Sequence, residues 1–242
     1  MLIEFSVGNF RSFKETATLS MVAAKIHSRD HQVDENNTIH VDDDLTLLAS
    51  AGIYGANASG KSNLIQAFQF VRWFVLNSSK ATQAGDRINI VPFRLAVETE
   101  KQPTFFELVF LIEKTTYRYG FEVDSEQVVS EWLFHAPFGK EARLFIREEN
   151  EIHLARAFKG GASSKNLTRP NALFLSVAAQ FNSETARQVL GWFQSLRLIS
   201  GLDDASYSGF TVSQFTRDEA FRQEIIRLIK KSNVDIDGVI TE

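Results

Sequence analysis

The sequence predicts an α/β fold in three parts, and three observations predict it. A nearly unbroken apolar run, Leu45 to Tyr54, leads through a glycine-bounded loop into a segment of helical period. Residues 88–154 then alternate with period two, and the chain after Pro170 returns to spacings of three and four. A short apolar run between turn signals reads as a strand buried on both faces, alternation as half-buried strands, and the longer period as helix. The division is therefore 1–80 for the N-terminal strands, insertion loop and strand–loop–helix, 81–158 for an antiparallel β-subdomain, and 159–242 for a helical subdomain.

Taken in order, Leu2 to Val7 and Phe13 to Met21 alternate on either side of Gly8-Asn9, the pattern of a hairpin or two adjacent strands. Residues 27–45 are polar and aperiodic, a loop or insertion; its acidic triple, Asp42 to Asp44, reads as a solvated turn. After the 45–54 strand, Leu64, Ile65, Phe68, Val71, Phe74 and Val75 mark a helix that Asn77-Ser78-Ser79 closes. Phe106, Leu108, Phe110 and Ile112 share one parity, and Tyr117, Tyr119, Phe121 and Val123 another, with a turn at 113–116. Val128 to Phe134 and Arg143 to Arg147 continue an antiparallel sheet of four to six strands, one face against the core. Residues 159–168 read as a flexible loop. Helices follow over 172–179 and 183–194, the second capped by Asn182 or Ser183, then a strand-like 196–200. The last helix spans about 216–232, with Phe221, Ile225, Ile226, Leu228 and Ile229 on its buried side.

Composition sets limits on function. With 242 residues, 44% hydrophobic and 23% charged, the chain holds enough apolar material for a core, which excludes whole-chain disorder. Its 26 Lys and Arg against 30 Asp and Glu give a net charge of −4, so net charge lends no support to a nucleic-acid partner, and only a local patch could supply one. Zero cysteines exclude disulfides, a thiol nucleophile and thiolate zinc sites. The N-terminus alternates like a strand, and the longest apolar stretch, Phe68 to Leu76, carries Arg72 and falls short of the ~20 residues that span a bilayer. A cytoplasmic protein without a membrane partner is expected. The 21 Phe against 4 Tyr and 3 Trp point to a phenylalanine-rich core.

Gly55 to Ser62 fits Gly-x-x-x-x-Gly-Lys-Ser, with a buried strand expected before it and a helix after it. Gly55 and Gly60 allow backbone angles closed to other residues and a close approach to an anion. The main-chain amides of 57–62, those of Asn57, Ala58 and Ser59 among them, would form a nest aimed by the positive end of the helix. Lys61 supplies a mobile positive charge for the β- and γ-phosphates. Ser62 offers a hydroxyl to Mg²⁺, a hard cation that prefers oxygen. ATP and Mg²⁺ are thus the expected cofactors, with Lys61 the catalytic candidate and Ser62 the metal ligand. Hydrolysis also needs a strand ending in Asp. The best match, Leu198 to Asp203-Asp204, is broken by Ser200 and Gly201. The phosphate grip is legible and the cutting half is not.

Asn9-Phe-Arg-Ser-Phe13 after a first strand, followed by Gly55-Ala-Asn-Ala-Ser-Gly-Lys-Ser-Asn63, resembles the heads of RecF/SMC/OLD-like ATPases, the ABC-type P-loop group. More closely, the chain resembles the prokaryotic "AAA ATPase domain" proteins of that group, several of them associated with phage defence. Val91 to Leu95, Phe106 to Phe121, Glu131 to Leu133 and Asn171 to Asn182 extend the likeness along the chain. The resemblance implies a P-loop NTPase lobe of the ABC-head type, with a mixed sheet, an antiparallel β-subdomain and a helical C-terminal arm. It implies a homodimer closing around two nucleotides, with an attached nuclease or toxin as effector. Gly55, Asn57, Ser59, Gly60, Lys61, Ser62 and Asn63 map onto its Walker A segment, and Arg11 and Ser12 onto an N-terminal motif near the nucleotide. Its signature serine and Walker B acids fall beyond residue 242, so the chain reads as a truncated head.

A nucleotide-driven switch in prokaryotic defence is the expected function. The alternatives are a RecF-like DNA-repair clamp and a non-hydrolysing nucleotide-binding remnant. A clamp needs a basic stripe, whereas Arg217, Arg222, Arg227, Lys230 and Lys231 spread around the last helix among Asp218, Glu219 and Glu224. His27 and His31 lie four apart in a polar loop without a third ligand, so no histidine metal site is expected.

Overall fold

A computed structural model describes residues 1–26, 31–137, 139–199 and 205–231. The chain divides into two compact units, Met1–Arg197 and Leu198–Glu242.

The first unit is built on a seven-stranded sheet in the order β2-β1-β5-β6-β7-β8-β9. Its strands are β1 (Leu2–Gly8), β2 (Ala17–Ser20), β5 (Thr104–Ile112), β6 (Thr115–Val123), β7 (Val128–Ala136), β8 (Ala142–Glu148) and β9 (Glu151–Leu154). Residues 104–154 supply five strands, within the expected four to six. The N-terminal hairpin makes seven, because β1 pairs with β5, placing Phe5 opposite Leu108. Phe106 faces Phe121 and Leu108 faces Tyr119 across β5 and β6, so the two parity sets read from the sequence lie on one buried face.

Three helices cover that face: α2 (Lys61–Asn77), α3 (Phe174–Gln180) and α4 (Glu184–Ser195). Phenylalanines join the layers. Phe68 of α2 lies 3.8 Å from Phe5, Phe70 lies 5.3 Å from Phe106, and Phe74 lies 5.8 Å from Phe121. Trp192 of α4 stacks at 4.1 Å on Phe110, and Phe193 meets Tyr119 edge-on. Ser183 is the N-cap of α4, accepting from the Ala186 amide.

Several expectations need correction. The apolar run at 45–54 is not one buried strand. Only β4 (Thr46–Leu48) is regular, paired antiparallel with β3 (Thr38–His40) in a separate two-stranded sheet. Beyond Ala49, which bonds to the Asn37 carbonyl, no ladder neighbour is present among the described residues. Ile53 and Tyr54 stand 46% and 93% exposed. Hydrophobicity favours a strand only where another chain segment offers a ladder and a cover. For the same reason the expected mixed sheet is absent here: every strand pair among the described residues is antiparallel.

The insertion contains a short helix, α1 (His31–Asn37), besides β3. The second predicted strand shortens to β2. Residues 159–168 are not a free loop: Ala162–Leu167 form a 3-10 turn with Ser164 buried. Residues 196–199 form no strand.

The second unit comprises α5 (Ala205–Arg217) and α6 (Glu219–Lys231). Asp218 caps α6 through the Phe221 amide, and Arg222 reaches back to the Phe215 carbonyl at 2.9 Å. The last predicted helix thus begins later than expected, and its supposed inner side is only half-buried, with Leu228 exposed. Among the described residues no helix is long and apolar enough to cross a membrane.

Candidate functional site

The loop from Gly55 to Gly60 is shaped by its own backbone. Ala58 (φ 63°) and Gly60 (φ 94°) both take left-handed angles, and the Ser59 amide bonds to the Ala56 carbonyl at 3.2 Å. Gly60 precedes α2 without a side-chain cap, and no acidic residue sits in the first turn. No side-chain oxygen caps the helix start, where the Asn63 amide turns back to the Gly60 carbonyl at 2.9 Å, and the positive helix end is not neutralised locally. Lys61 folds back across the loop, its Nζ donating to the carbonyls of Gly55 and Ala56 at 2.7 Å each. These partners are carbonyl dipoles and not carboxylates, so its positive charge stays available for an anion.

Gly60 takes the left-handed angle expected of it and Gly55 does not; both sit close to a serine side chain. A Cβ on Gly55 would stand 2.7 Å from Ser59 Oγ, and one on Gly60 would stand 2.5 Å from Ser12 Oγ. The second contact shows what closes the site from outside the motif. Ser12 accepts a hydrogen bond from Asn63 Nδ2 at 2.8 Å, joining positions 51 residues apart. Arg11, at φ 49°, is exposed beside it; its backbone N–H bonds to the Val91 carbonyl, and its guanidinium lies 5.6 Å from the Phe10 ring centre. Ser62 is exposed at the second position of α2. Of the ten residues singled out in the sequence, Gly55, Asn57, Ala58, Ser59, Gly60, Lys61, Ser62 and Asn63 form the loop and the first turn of α2, Ser12 touches them through Asn63, and Arg11, its chain neighbour, contacts Val91 and Phe10 instead.

Residues 57–63 line a hollow of about 280 Å³. A larger one, about 460 Å³, is lined by residues that include Pro92, Arg94, Gln102 and Thr104. The smaller hollow is the better anion site on chemical grounds. It combines helix-start amides, an ammonium group and hydroxyls, whereas the larger is lined by both carboxylates and cations. The donor set fits a polyphosphate chain.

The candidate acids Asp203 and Asp204, and His27, lie outside the described residues. Among the described residues no group of three or more His, Asp or Glu is arranged to hold a metal ion. Asp42 accepts from the amides of Asp44 and Leu45, a self-bonded turn of the kind its sequence predicted.

Sequence reasoning missed two buried polar hubs. Asn9 bonds the segment around residues 93–104. Glu131, 0% exposed, accepts from Tyr119 Oη (2.9 Å) and from the amides of Phe174 (2.6 Å) and Leu175 (3.0 Å), and lies 3.8 Å from buried Arg147. The signal for the second was a glutamate at the inward parity of β7, beside Leu133.

The layered α/β architecture and the glycine-framed loop at a helix start define the class as a nucleotide-binding domain of the ATPase type. Residues 50–240 match the family described as "AAA domain, putative AbiEii toxin, Type IV TA system". That is most of the chain, and the chain belongs to this family. No curated protein matches it.

Proposed function

We propose that the chain is the nucleotide-holding part of an ABC/SMC-like ATPase of the RecF/SMC/OLD group, acting as a nucleotide-driven switch in a prokaryotic defence system. The observation that carries this reading is the loop itself: Gly60 at a left-handed angle beneath Ser12, a lysine held by carbonyl dipoles, and a helix start without a side-chain cap. In this reading Gly55 and Gly60 let the main chain approach closely, and the amides of residues 57–62, those of Asn57, Ala58 and Ser59 among them, turn to the phosphates, Ser59 giving up its 3.2 Å bond to the Ala56 carbonyl. Lys61 binds the phosphate tail, Ser62 contributes an oxygen to Mg²⁺, and Asn63, Ser12 and Arg11 form the wall opposite. Bound Mg·ATP would supply the γ-phosphate charge that distinguishes two states.

A ligand shifts a conformational balance only by its differential affinity for the two states. The proposed second state is a homodimer closed over two nucleotides, with a nuclease or toxin as effector. The family's toxin–antitoxin description supports the defence setting.

The chain is expected to bind Mg·ATP and to turn it over negligibly, since no strand ending in Asp-Glu is legible in its sequence. Lys61→Ala removes a charge-assisted contact worth about 1.5–3 kcal/mol, which is roughly 10–100-fold in affinity. Titration of labelled ATP measures it. Equal binding by both chains would remove the proposal. Turnover that vanishes in the variant would show a complete hydrolytic site, and salt-steep DNA binding would favour the RecF-like clamp.

A further inference from the structure

The turn that carries Arg11 and Ser12 is fixed by the side chain just ahead of it. Asn9 is buried and takes φ 47°. Its Nδ2 donates to the carbonyls of Thr99 (2.8 Å), Gln102 (2.8 Å) and Pro103 (3.3 Å), while its Oδ1 accepts from the Phe93 amide at 3.0 Å. Its own carbonyl accepts from Thr104 Oγ1 at 2.8 Å. One amide side chain therefore ties both ends of segment 93–103 to the end of β1.

The next residues close on themselves: the Phe10 amide bonds to the Phe13 carbonyl (2.9 Å) and the Phe13 amide to the Phe10 carbonyl (2.8 Å). Arg11 N–H then docks on Val91 (2.9 Å), just before the tied segment. At the tip, Ser12 meets Asn63 and the space over Gly60. Hydrogen bonds and the short covalent turn 9–13 together link segment 93–103 to Asn63 in the first turn of α2.

We propose that Asn9 is a positioning residue for the nucleotide site: by clamping segment 93–103 it sets where Ser12, at the tip of the turn, stands against Gly60 and Asn63. The inference rests on the nucleotide-binding reading of the loop. A wall held in place before the ligand arrives spares the ordering that binding would otherwise require.

Asn9→Gly tests this, because glycine accepts the left-handed angle and lacks the side chain that makes the bonds. In the nucleotide-free protein, amide hydrogen exchange at Arg11 and Phe13 is expected to quicken about tenfold, with β8 and β9 unchanged. Unaltered exchange at those two amides overturns the proposal whether or not nucleotide binds. Mg·ATP affinity is expected to weaken about tenfold. The double variant Asn9→Gly/Ser12→Ala should bind no more weakly than Ser12→Ala alone. Additive losses would mean that Asn9 acts elsewhere, and a lowered Tm with unchanged affinity would mean a purely structural role; either result overturns the proposal.

Should Asn9→Gly fail to fold, Ser12→Ala cuts the tie to Asn63 at an exposed position. Several-fold weaker binding at unchanged Tm is expected, and unchanged affinity refutes the idea. Lys61→Ala is the separate control: if it binds Mg·ATP as the parent does, the nucleotide reading fails, while the exchange measurement still judges Asn9.

Discussion

Glu131→Ala removes the carboxylate facing Arg147 in the interior, and the size of the effect follows from what it leaves behind. The two side chains are 0% and 1% exposed, so water cannot take over the lost interactions. Tyr119 Oη and the first amides of α3 lose their acceptor. Arg147 keeps the carbonyls of Glu149, Ala172, Arg169 and Pro170 but loses its counter-charge. Breaking a buried pair from one side destabilises by about 3–5 kcal/mol, and those remaining carbonyls place this case at the lower end, about 3 kcal/mol. In a unit of this size each kcal/mol lowers Tm by about 2–4 °C, so a fall of roughly 6–12 °C is expected in thermal denaturation. The pair variant Glu131→Ala/Arg147→Met should regain much of that loss, because no charge is then left alone.

The pH dependence has a definite sign. Burial raises the Glu131 carboxyl above its ordinary value, against the pull of Arg147 and of its hydrogen-bond donors. A carboxyl raised in the folded state holds its proton more tightly there than in the unfolded chain. Its stabilising contribution is complete below the unfolded value and is lost as pH climbs through the folded one. Stability relative to Glu131→Gln should therefore decline as pH rises from about 4 towards neutrality. A Tm unchanged in Glu131→Ala, or a double variant as unstable as the sum of its parts, would refute the account of this network.

Two further outcomes are expected. Gly60→Ala places a side chain at φ 94° and 2.5 Å from Ser12 Oγ, so Mg·ATP binding should fall sharply while the sheet core stays folded. Adding Ser12→Ala relieves the contact but not the backbone strain, and recovery in the same titration should be partial. Ser183→Ala removes the α4 cap on the Ala186 amide and the 2.6 Å bond to the Lys159 carbonyl. A loss of about 1 kcal/mol is expected, visible in urea denaturation as a lower midpoint with an unchanged slope.

The site was legible wherever its chemistry is local. Gly55 to Asn63 is one short stretch whose glycines, lysine and following helical period carry their meaning in the sequence. Ser12 was placed beside it by resemblance alone, because nothing within a few residues of Ser12 signals a hydrogen bond to Asn63. Asn9 read as the break between two strands, which is what it is locally. That its amide serves three carbonyls ninety or more residues away depends on β1 lying against β5.

The sequence by itself determined the periods: which residues of 104–123 face inward, where α2 begins, and that α4 is capped at Asn182 or Ser183. These follow from backbone geometry repeated every two or 3.6 residues and from bonds spanning three or four positions. Only the tertiary structure decided the fate of the apolar run at 49–54, which is left extended and uncovered because a strand needs a neighbour's hydrogen bonds. It alone placed Glu131 and Arg147 together inside and brought the turn at Ser12 onto Gly60. Buried polar groups take their partners from whatever the folded chain brings near, and no local pattern encodes that choice.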